Sequence, residues 1–389
     1  MFDGITNLTI KVGCDSGKGH TKWVASIFDS EKLAAAKNCP KKKKRRTAIV
    51  ETERSDVGPL RTITIGSGPN IPENHHNLKL MMEKLKLDDL ELINTGDCKV
   101  LNIQVGVGPC SSKFPCGWCE AEKVGKKMVC TQDTRMRTEE NVTQNNTEWL
   151  ARVDKTKDTT AQKHKSCVNL PLIKVRHESG WFLMAFPPPP LHIKIGIVIK
   201  ILTYIHFYWE EMCEGTNGVD TFLASINIIK KDYFGLTLEG NDCNKVLQNL
   251  DKLERELPEE LSLFLDLLKE FKQIVDKIFG FTLDPHWETY LKKFSRIFEE
   301  IQEYFPDVSE TVKIHCLVKH VSQFLKKDGC KRGLAEFGEQ ELESAHQHFH
   351  RIWENLKVFD KFSPAFKKNY VKALAIFAKQ HAKAKATAK

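Results

Sequence analysis

Short apolar runs separated by turn residues dominate the first hundred positions of the chain. Residues 8–14 (LTIKVGC) and 21–28 (TKWVASIF) flank a tight glycine-containing turn, and residues 62–66 (TITIG) form a third run. Apolar runs of this length bounded by turns predict β-strands, and the first two predict a hairpin. Segment 74–87 has apolar residues near helical spacing, and another short apolar run follows at 91–94. Strands combined with a helix in this way predict an α/β unit.

From about residue 240 onward the pattern becomes helical. Apolar residues recur at i, i+3 and i+4 in six successive segments, and prolines separate most of them. The segments are 247–256, 259–279, 287–305, 309–325, 339–358 and 364–381. The sequence therefore predicts an α/β region followed by an all-helical region.

Two segments between these regions are less regular. Residues 122–168 are rich in Lys, Thr, Asn and Asp without a clear period, which predicts a long loop or mobile insert. The apolar segment 191–209 follows four consecutive prolines. It fits a helix that begins at the prolines, or a strand, because Ile alternates over 193–201. The segment is long enough to span a membrane, but Lys194 and Lys200 in its interior favour a buried core element.

Composition narrows the function classes without selecting one. Of 389 residues, 41% are hydrophobic and 28% are charged, which excludes a disordered chain or a fibre. The net charge of +8 permits a polyanionic partner. Twelve cysteines are too few for a disulfide scaffold, and no signal-peptide pattern opens the chain, so we expect a reducing compartment. Residues 41–46 (KKKKRR) fit a nuclear import signal, a DNA-phosphate contact or a solvated loop.

The most specific local motif is Cys116-Gly-Trp-Cys119. Two cysteines at this spacing can bind one tetrahedral Zn²⁺, and His315 and His320 form an H-x₄-H pair of suitable spacing. Because the pairs lie 315 − 119 = 196 residues apart, a shared site would have to be assembled by the fold. Alternatively, the cysteines are redox-active or idle and the histidines belong to an ordinary helix. A nucleobase deaminase is disfavoured because no H-x-E precedes the cysteines.

Three acidic residues occupy positions suited to metal-dependent chemistry. Asp15 and Asp97 each follow an apolar predicted strand, where a carboxylate is costly unless solvent or a cation stabilises it. Two such carboxylates can share divalent ions, although ordinary turn aspartates explain the same pattern. Glu343 lies on the predicted helix 339–358 and shares a face with Glu339 at i, i+4.

The order of these motifs resembles the Transib transposases and the recombination-activating recombinase of jawed vertebrates. It is closer still to invertebrate transposon proteins with the same order of motifs. The resemblance covers roughly residues 8–375. The shared motifs are C-D-x-G-x-G at 14–19, T-G-D at 95–97, F-P-C-x-W-C-E at 114–120, P-P-x-L-H at 188–192, G-N-D-C at 240–243, H-x₄-H at 315–320, and E-S at 343–344 ahead of F-x-R at 349–351.

The resemblance implies an RNase H-like α/β catalytic core interrupted by a large helical insertion. It implies a D-D-E triad that binds Mg²⁺ or Mn²⁺, formed by Asp15, Asp97 and Glu343, with Glu339 in reserve for the third acid. It also implies a structural Zn²⁺ ion bound by Cys116, Cys119, His315 and His320. The expected segments are a core with two acids and C-x-x-C at 1–120, a polar insert at 121–185, a helical insertion with H-x₄-H at 186–335, and a catalytic helix with a basic tail at 336–389.

The function that the resemblance implies is metal-dependent DNA strand cleavage and transfer. We expect double-stranded DNA as the partner, a nuclear location and no membrane association. A homodimer is expected because paired DNA ends require two active sites. The resemblance implies a sequence-specific DNA-binding region before the first acidic residue, whereas only 14 residues precede Asp15 here. We expect either that the chain is a fragment or degenerate copy, or that a separate partner binds the DNA ends. The alternative is a catalytically silent, transposon-derived DNA- or chromatin-binding protein with the same zinc-stabilised fold. A zinc hydrolase is disfavoured, because it would need an open position on the zinc ion and four candidate ligands would fill all positions.

Overall fold

The computed structural model describes residues 8–17, 20–29, 62–69, 71–87, 92–152, 162–213, 218–229, 238–327, 329, 332–358, 360 and 362–387. The chain divides into two compact units, each built from separate stretches. The sheet unit comprises Met1–Pro109, Arg137–Pro187 and Phe337–Lys389, and the helical unit comprises Cys110–Met136 and Pro188–Glu336. The C-x-x-C motif at 116–119 lies in the helical unit.

A mixed four-stranded sheet forms the centre of the sheet unit. Strands β1 (Leu8–Gly17) and β2 (His20–Asp29) form an antiparallel hairpin, and β3 (Thr62–Pro69) pairs antiparallel with β2. Strand β4 (Ile93–Thr95) pairs in parallel with β1, giving the order β3-β2-β1-β4. The four strands coincide with the apolar runs of the sequence, so the predicted α/β character of the N-terminal region is confirmed.

Helices make up most of the remaining structure, and the helical periodicity from residue 240 onward is confirmed. The described α-helices in chain order are α1 (His75–Leu85), α2 (Cys98–Val105), α3 (Glu139–Leu150), α4 (Phe182–Ala185), α5 (Pro190–Met212), α6 (Gly218–Ser225), α7 (Gly240–Gln248), α8 (Leu250–Glu256), α9 (Ser262–Lys277), α10 (Trp287–Tyr304), α11 (Val312–His315), α12 (Val321–Lys327), α13 (Gln340–Glu354) and α14 (Pro364–Thr387).

Helices α13 and α14 build the core of the sheet unit together with the sheet itself. Val24 of β2 belongs to one buried cluster with apolar residues from both helices, namely Leu342, Ala345, Phe349, Trp353, Phe366, Tyr370, Ala373 and Phe377. The rings of Trp353 and Phe366 lie 5.0 Å apart, edge to face. Such a pair contributes about 0.5–1.5 kcal/mol beyond the burial of its area. The two helices therefore pack against each other as well as against the sheet.

Helix α13 approaches β1 closely at a glycine. A Cβ atom added to Gly13 would lie 2.6 Å from Cδ2 of Leu342 and 3.0 Å from Cγ2 of Thr95, so a larger residue would push α13 away. Nearby, Nζ of Lys11 donates a hydrogen bond of 2.8 Å to the carbonyl of Gly338. These contacts fix the position of the first turns of α13 along β1.

The apolar segment that fitted either a strand or a helix is helix α5 of the helical unit. Pro190 occupies its first turn, and buried residues such as Ile193, Ile197 and Ile201 recur every four positions. Lys194 is buried and donates a hydrogen bond of 2.9 Å to Oδ1 of Asn244. In the described part of the chain, α5 is the one helix long and apolar enough to cross a membrane, and half of its most apolar window is buried in the protein. Core helices pass the same test.

The prediction of a long loop over 122–168 is wrong for much of its length. Strands β5 (Glu122–Val124) and β6 (Lys127–Val129) form a hairpin, and helix α3 follows. Thr138 and Asn141 form a reciprocal capping box at the start of α3, which outweighs the weak apolar periodicity of its sequence. Residues 153–161 lie outside the described part, as do the basic residues 41–46.

Candidate functional site

The two cysteines of the C-x-x-C motif lie in a buried loop of the helical unit. Cys116, Trp118 and Cys119 are each at most 3% exposed. The backbone N–H of Trp118 donates a hydrogen bond of 3.4 Å to Sγ of Cys116. Cys119 pairs with Met136 through an isolated β-bridge. Backbone contacts therefore fix the positions of both sulfur atoms.

The two histidines lie on one helical segment that contains a π-helical turn. Helix α11 ends at His315, the π turn covers Cys316–His320, and α12 follows. In a regular α-helix, residues five apart are separated by about 140° around the axis, so the two imidazoles would diverge. In a π turn the backbone hydrogen bonds join residues five apart. The rings of His315 and His320 accordingly meet, with centroids 4.9 Å apart.

The four side chains form one buried cluster. Their ligand atoms all lie within 4.8 Å of one another. Sγ of Cys116 is 3.2 Å from Nε2 of His320, and Sγ of Cys119 is 3.3 Å from Nε2 of His315. A tetrahedral zinc site with Zn–S of about 2.3 Å and Zn–N of about 2.0–2.1 Å has edges of roughly 3.5 Å between ligand atoms. The cluster therefore has the donors and the dimensions to hold a metal ion such as zinc.

Two further side chains orient the imidazoles. Nδ1 of His320 lies 2.7 Å from Oε1 of Gln323, and Nδ1 of His315 lies 3.5 Å from Oε1 of Glu310. Glu310 also accepts a hydrogen bond of 3.0 Å from the backbone N–H of Met128 in β6. Partners at the second ring nitrogen are typical of metal-binding histidines, because they fix the tautomer with Nε2 available to the metal. Glu310 thereby links the β5–β6 hairpin to the cluster.

The pKa values of the cluster residues are shifted in ways that are compatible with a bound cation. Burial raises the pKa of the Cys116 thiol, but hydrogen bonds with Cys119, His315 and His320 hold it well below its usual range. The hydrogen bond with Cys116 raises the pKa of Cys119. Burial opposes protonation of His315, but its hydrogen bonds with Cys116 and Glu310 raise its pKa to about 10. The buried donors therefore share protons that a bound metal ion would replace.

Cys130 is a neighbour of the cluster that sequence reasoning missed. It follows β6, and its hydrogen bond with Cys119 lowers the pKa of Cys130 to about 6. No local spacing signals this contact, because the β5–β6 hairpin separates the two cysteines in the chain. The tertiary fold alone brings a third thiol to this side of the cluster.

No protein-family model matches this chain, and no curated protein matches it either. The chemistry of the site consequently rests on its own residues. Four buried ligands fill a tetrahedral coordination sphere, which is the arrangement of structural rather than catalytic zinc.

Asp15 lies on β1, and Asp97 lies two residues beyond the end of the neighbouring parallel strand β4. Gly13 of β1 is paired with Thr95 of β4. Asp15 lies two residues after Gly13, and Asp97 lies two residues after Thr95. Because adjacent strands are about 4.8 Å apart, the backbone brings both acidic positions to the same end of the sheet. The side chain of Asp15 lies outside the described residues.

Asp97 also has an evident structural role. Its Oδ1 accepts a hydrogen bond of 2.8 Å from the backbone N–H of Val100 and caps helix α2. The side chain is half-buried. An aspartate at this position therefore stabilises the helix whether or not it binds a metal ion.

The third acid, Glu343, is half-buried in the first turn of α13. It follows Leu342, the residue in contact with Gly13 of β1. Glu339, the reserve for the third acid, is 1% exposed and immediately precedes the helix. Sequence reasoning did not single out Glu341, which forms an ion pair of 3.5 Å with Lys11. The convergence of the three proposed carboxylates stays a prediction.

Proposed function

We propose that this protein is a DNA transposase-like or recombinase-like enzyme that cleaves and transfers DNA strands with bound Mg²⁺ or Mn²⁺. Asp15, Asp97 and Glu343 supply the acidic ligands from an RNase H-like core. A Zn²⁺ ion on the Cys₂His₂ cluster stabilises the helical unit. The proposal includes a nuclear, homodimeric protein that acts on double-stranded DNA with a separate end-binding partner.

The backbone register around Asp15 and Asp97 is the observation that carries the proposal. The two residues stand at the same distance beyond the paired residues Gly13 and Thr95. A Cβ atom added to Gly96 would lie 3.2 Å from the carbonyl oxygen of Cys14. The residues just before the two acids are thus in contact, which is what a shared divalent-ion site would need.

Helix α13 supports the third position in the triad. Its first turns follow β1, because Gly338 accepts a hydrogen bond from Lys11 and Leu342 packs on Gly13. One turn later, the carbonyl of Ala345 accepts a hydrogen bond of 3.4 Å from Nζ of Lys22. Lys22 is paired with Asp15 across the β1–β2 hairpin. In the chain, Glu343 lies between Leu342, which packs on Gly13, and Ala345, which contacts the hairpin partner of Asp15. This position supports Glu343 as the third acidic ligand.

The proposed chemistry needs few protein groups. Carboxylate oxygens are the ligands that Mg²⁺ prefers, and a bound pair of such ions activates water and neutralises charge on a scissile phosphate. The three acidic side chains would hold and orient these ions. Water would first attack the scissile phosphate, and the bond to the 3′-oxygen would break to release a 3′-hydroxyl end. That 3′-hydroxyl would then attack a second phosphodiester, whose own 3′-oxygen would leave.

A catalytically silent DNA- or chromatin-binding protein is the second candidate. The observation that favours it is the cap of α2, because Asp97 already has a sufficient structural role there. The two candidates differ in whether the charge of Asp97 matters. Asparagine caps helices about as well as aspartate, so Asp97→Asn removes the charge and leaves the cap.

A nicking assay on supercoiled plasmid with Mg²⁺ separates the two candidates. We expect the wild type to nick, the Asp97→Asn variant to lose nicking, and DNA binding to stay equal or become slightly tighter. The matched control is Asp360→Asn, because Oδ1 of Asp360 likewise accepts a backbone N–H, from Phe362, at a site away from the triad. Equal nicking by the wild type and Asp97→Asn would reject the catalytic triad.

A further inference from the structure

Helix α14 has one face in the core of the sheet unit and three lysines on the opposite face. Its buried residues are Phe366, Tyr370, Ala373 and Phe377. At about 100° per residue, three lysines lie within about 40° of one another on the other side. These residues, the lysine face, are Lys368, Lys372 and Lys379, and all three are exposed.

The lysine face has no acidic residue near it in the sequence. After Asp360 the chain contains eight lysines and no aspartate or glutamate. The closest described ion pairs before it, Lys357–Glu354 and His350–Glu354, belong to α13 and its end. A solvated helix face normally carries both signs, paired at i, i+4. A helix face that carries lysines and no acidic residue instead attracts polyanions.

We propose that the lysine face of α14 binds the phosphate backbone of double-stranded DNA. The inference rests on the proposed function, because it takes the bound DNA to be the substrate of that function. From Lys368 to Lys379 the helix rises about 16 Å. This matches roughly five phosphate steps of one strand, at about 3.4 Å each along the duplex axis. Three ammonium groups along this length can each contact a phosphate.

A membrane surface is the other partner that a basic amphipathic helix can have. Such a helix binds by inserting its apolar face among the lipids. The apolar face of α14 is already occupied, because Phe366 and Phe377 are each at most 5% exposed within the sheet unit. The exposed side of the helix therefore offers mainly positive charge for binding, which favours a nucleic-acid backbone.

The distal half of α14 lies over the strand positions of the proposed active site. The ring centroid of Phe377 is 4.6 Å from Nζ of Lys22, and Lys22 is the hairpin partner of Asp15. Lys379 follows two residues later. A DNA strand on the lysine face would therefore cross the sheet unit near the strand position of Asp15.

The test measures binding of the full chain to a labelled duplex by fluorescence anisotropy in Mg²⁺-free buffer. The salt concentration is varied between about 50 and 200 mM. The variant Lys368→Gln/Lys372→Gln/Lys379→Gln removes the lysine face. The control Lys252→Gln/Lys292→Gln/Lys326→Gln removes three exposed lysines of the helical unit. The variant with Arg at all three lysine-face positions keeps the charge, and thermal melting checks that each variant is folded.

Each lost phosphate contact lowers the slope of log K against log salt by about 0.9. We expect the lysine-face Gln variant to lose about 2.7 from this slope, while the control and Arg variants keep the wild-type slope. Equal slopes for the wild type and the Gln variant would overturn the inference. It would also fail if phosphatidylserine vesicles displaced the duplex in a lysine-dependent manner.

Plasmid nicking with Mg²⁺, measured on the same variants, separates this inference from the proposed function. A wild type that does not nick but shows the lysine-dependent slope would reject the catalytic function and leave the binding surface supported. A wild type that nicks while all slopes are equal would reject the binding surface alone.

Discussion

Replacing His320 with alanine tests whether the Cys₂His₂ cluster holds a structural metal ion. The side chain is 1% exposed, lies 3.2 Å from Sγ of Cys116 and contacts Gln323. A bound ion stabilises the folded state by about 4.1 kcal/mol when its free concentration is 1,000 times the dissociation constant. Leaving buried partners unsatisfied costs a further 1–3 kcal/mol or so. The variant should therefore lose roughly 5–7 kcal/mol of unfolding free energy.

This loss should appear as a large change in the melting temperature. For a unit of about 150–250 residues, 1 kcal/mol shifts the midpoint by about 2–4 °C, so we expect a decrease of at least about 10 °C. Zinc content, measured by atomic emission on dialysed protein, should fall together with it. Adding a chelator should lower the midpoint of the wild type and leave that of His320→Ala nearly unchanged.

His164→Ala is the matched control, because His164 is a buried histidine of the sheet unit, 6% exposed, and is not one of the four ligands. It should lose some stability but keep the wild-type zinc content. Equal zinc per chain in the wild type and in a variant lacking all four ligands would refute the reasoning. A chelator without effect on the wild-type midpoint would refute it as well.

Two remaining predictions concern the pH dependence of the cluster and the packing of α13. Zinc binding needs a neutral His315 and a Cys119 thiolate, whereas the pKa values of both groups are raised in the cluster. Near neutral pH, zinc binding should therefore release about two protons, and the affinity for zinc should rise with pH. Calorimetry in buffers of different ionisation enthalpy measures this proton release. Proton release near zero would contradict this. Gly13→Val should lower the free energy of unfolding, measured by urea denaturation, by about 1–3 kcal/mol, because the added atoms overlap Leu342 and Thr95. A variant with the wild-type urea midpoint would show that the close approach of α13 to β1 is not needed.

The strands and most helices could be predicted because their apolar spacing is local. Strand β1 and helix α13 each bury one face, so the pattern of buried positions is written along a single segment. Helix α3 was missed because its stability comes from the Thr138–Asn141 capping box rather than from an apolar stripe. Segment 193–201 was ambiguous because half-buried Ile195 and Ile199 imitate the alternation of a strand.

The metal cluster could be predicted only as two pairs of ligands. Their meeting depends on contacts between segments 196 residues apart, which no local pattern contains. The π turn that aligns His315 with His320 is likewise invisible in the sequence, and so is the approach of Cys130. Residue spacing gave the identity of the ligands, while the tertiary fold determines their arrangement.

The interleaved course of the chain through its two units has a consequence for protein synthesis. The sheet unit begins at the N-terminus but recruits α13 and α14 only from Phe337 onward. During synthesis on the ribosome, the face of β2 around Val24 stays uncovered until almost the entire chain has been made, because α13 and α14 emerge last. Such a nascent sheet exposes apolar surface to chaperones or to other chains. Removing α13 and α14 should therefore produce an insoluble product rather than a smaller folded one, so the soluble fraction on expression reports whether these two helices have docked.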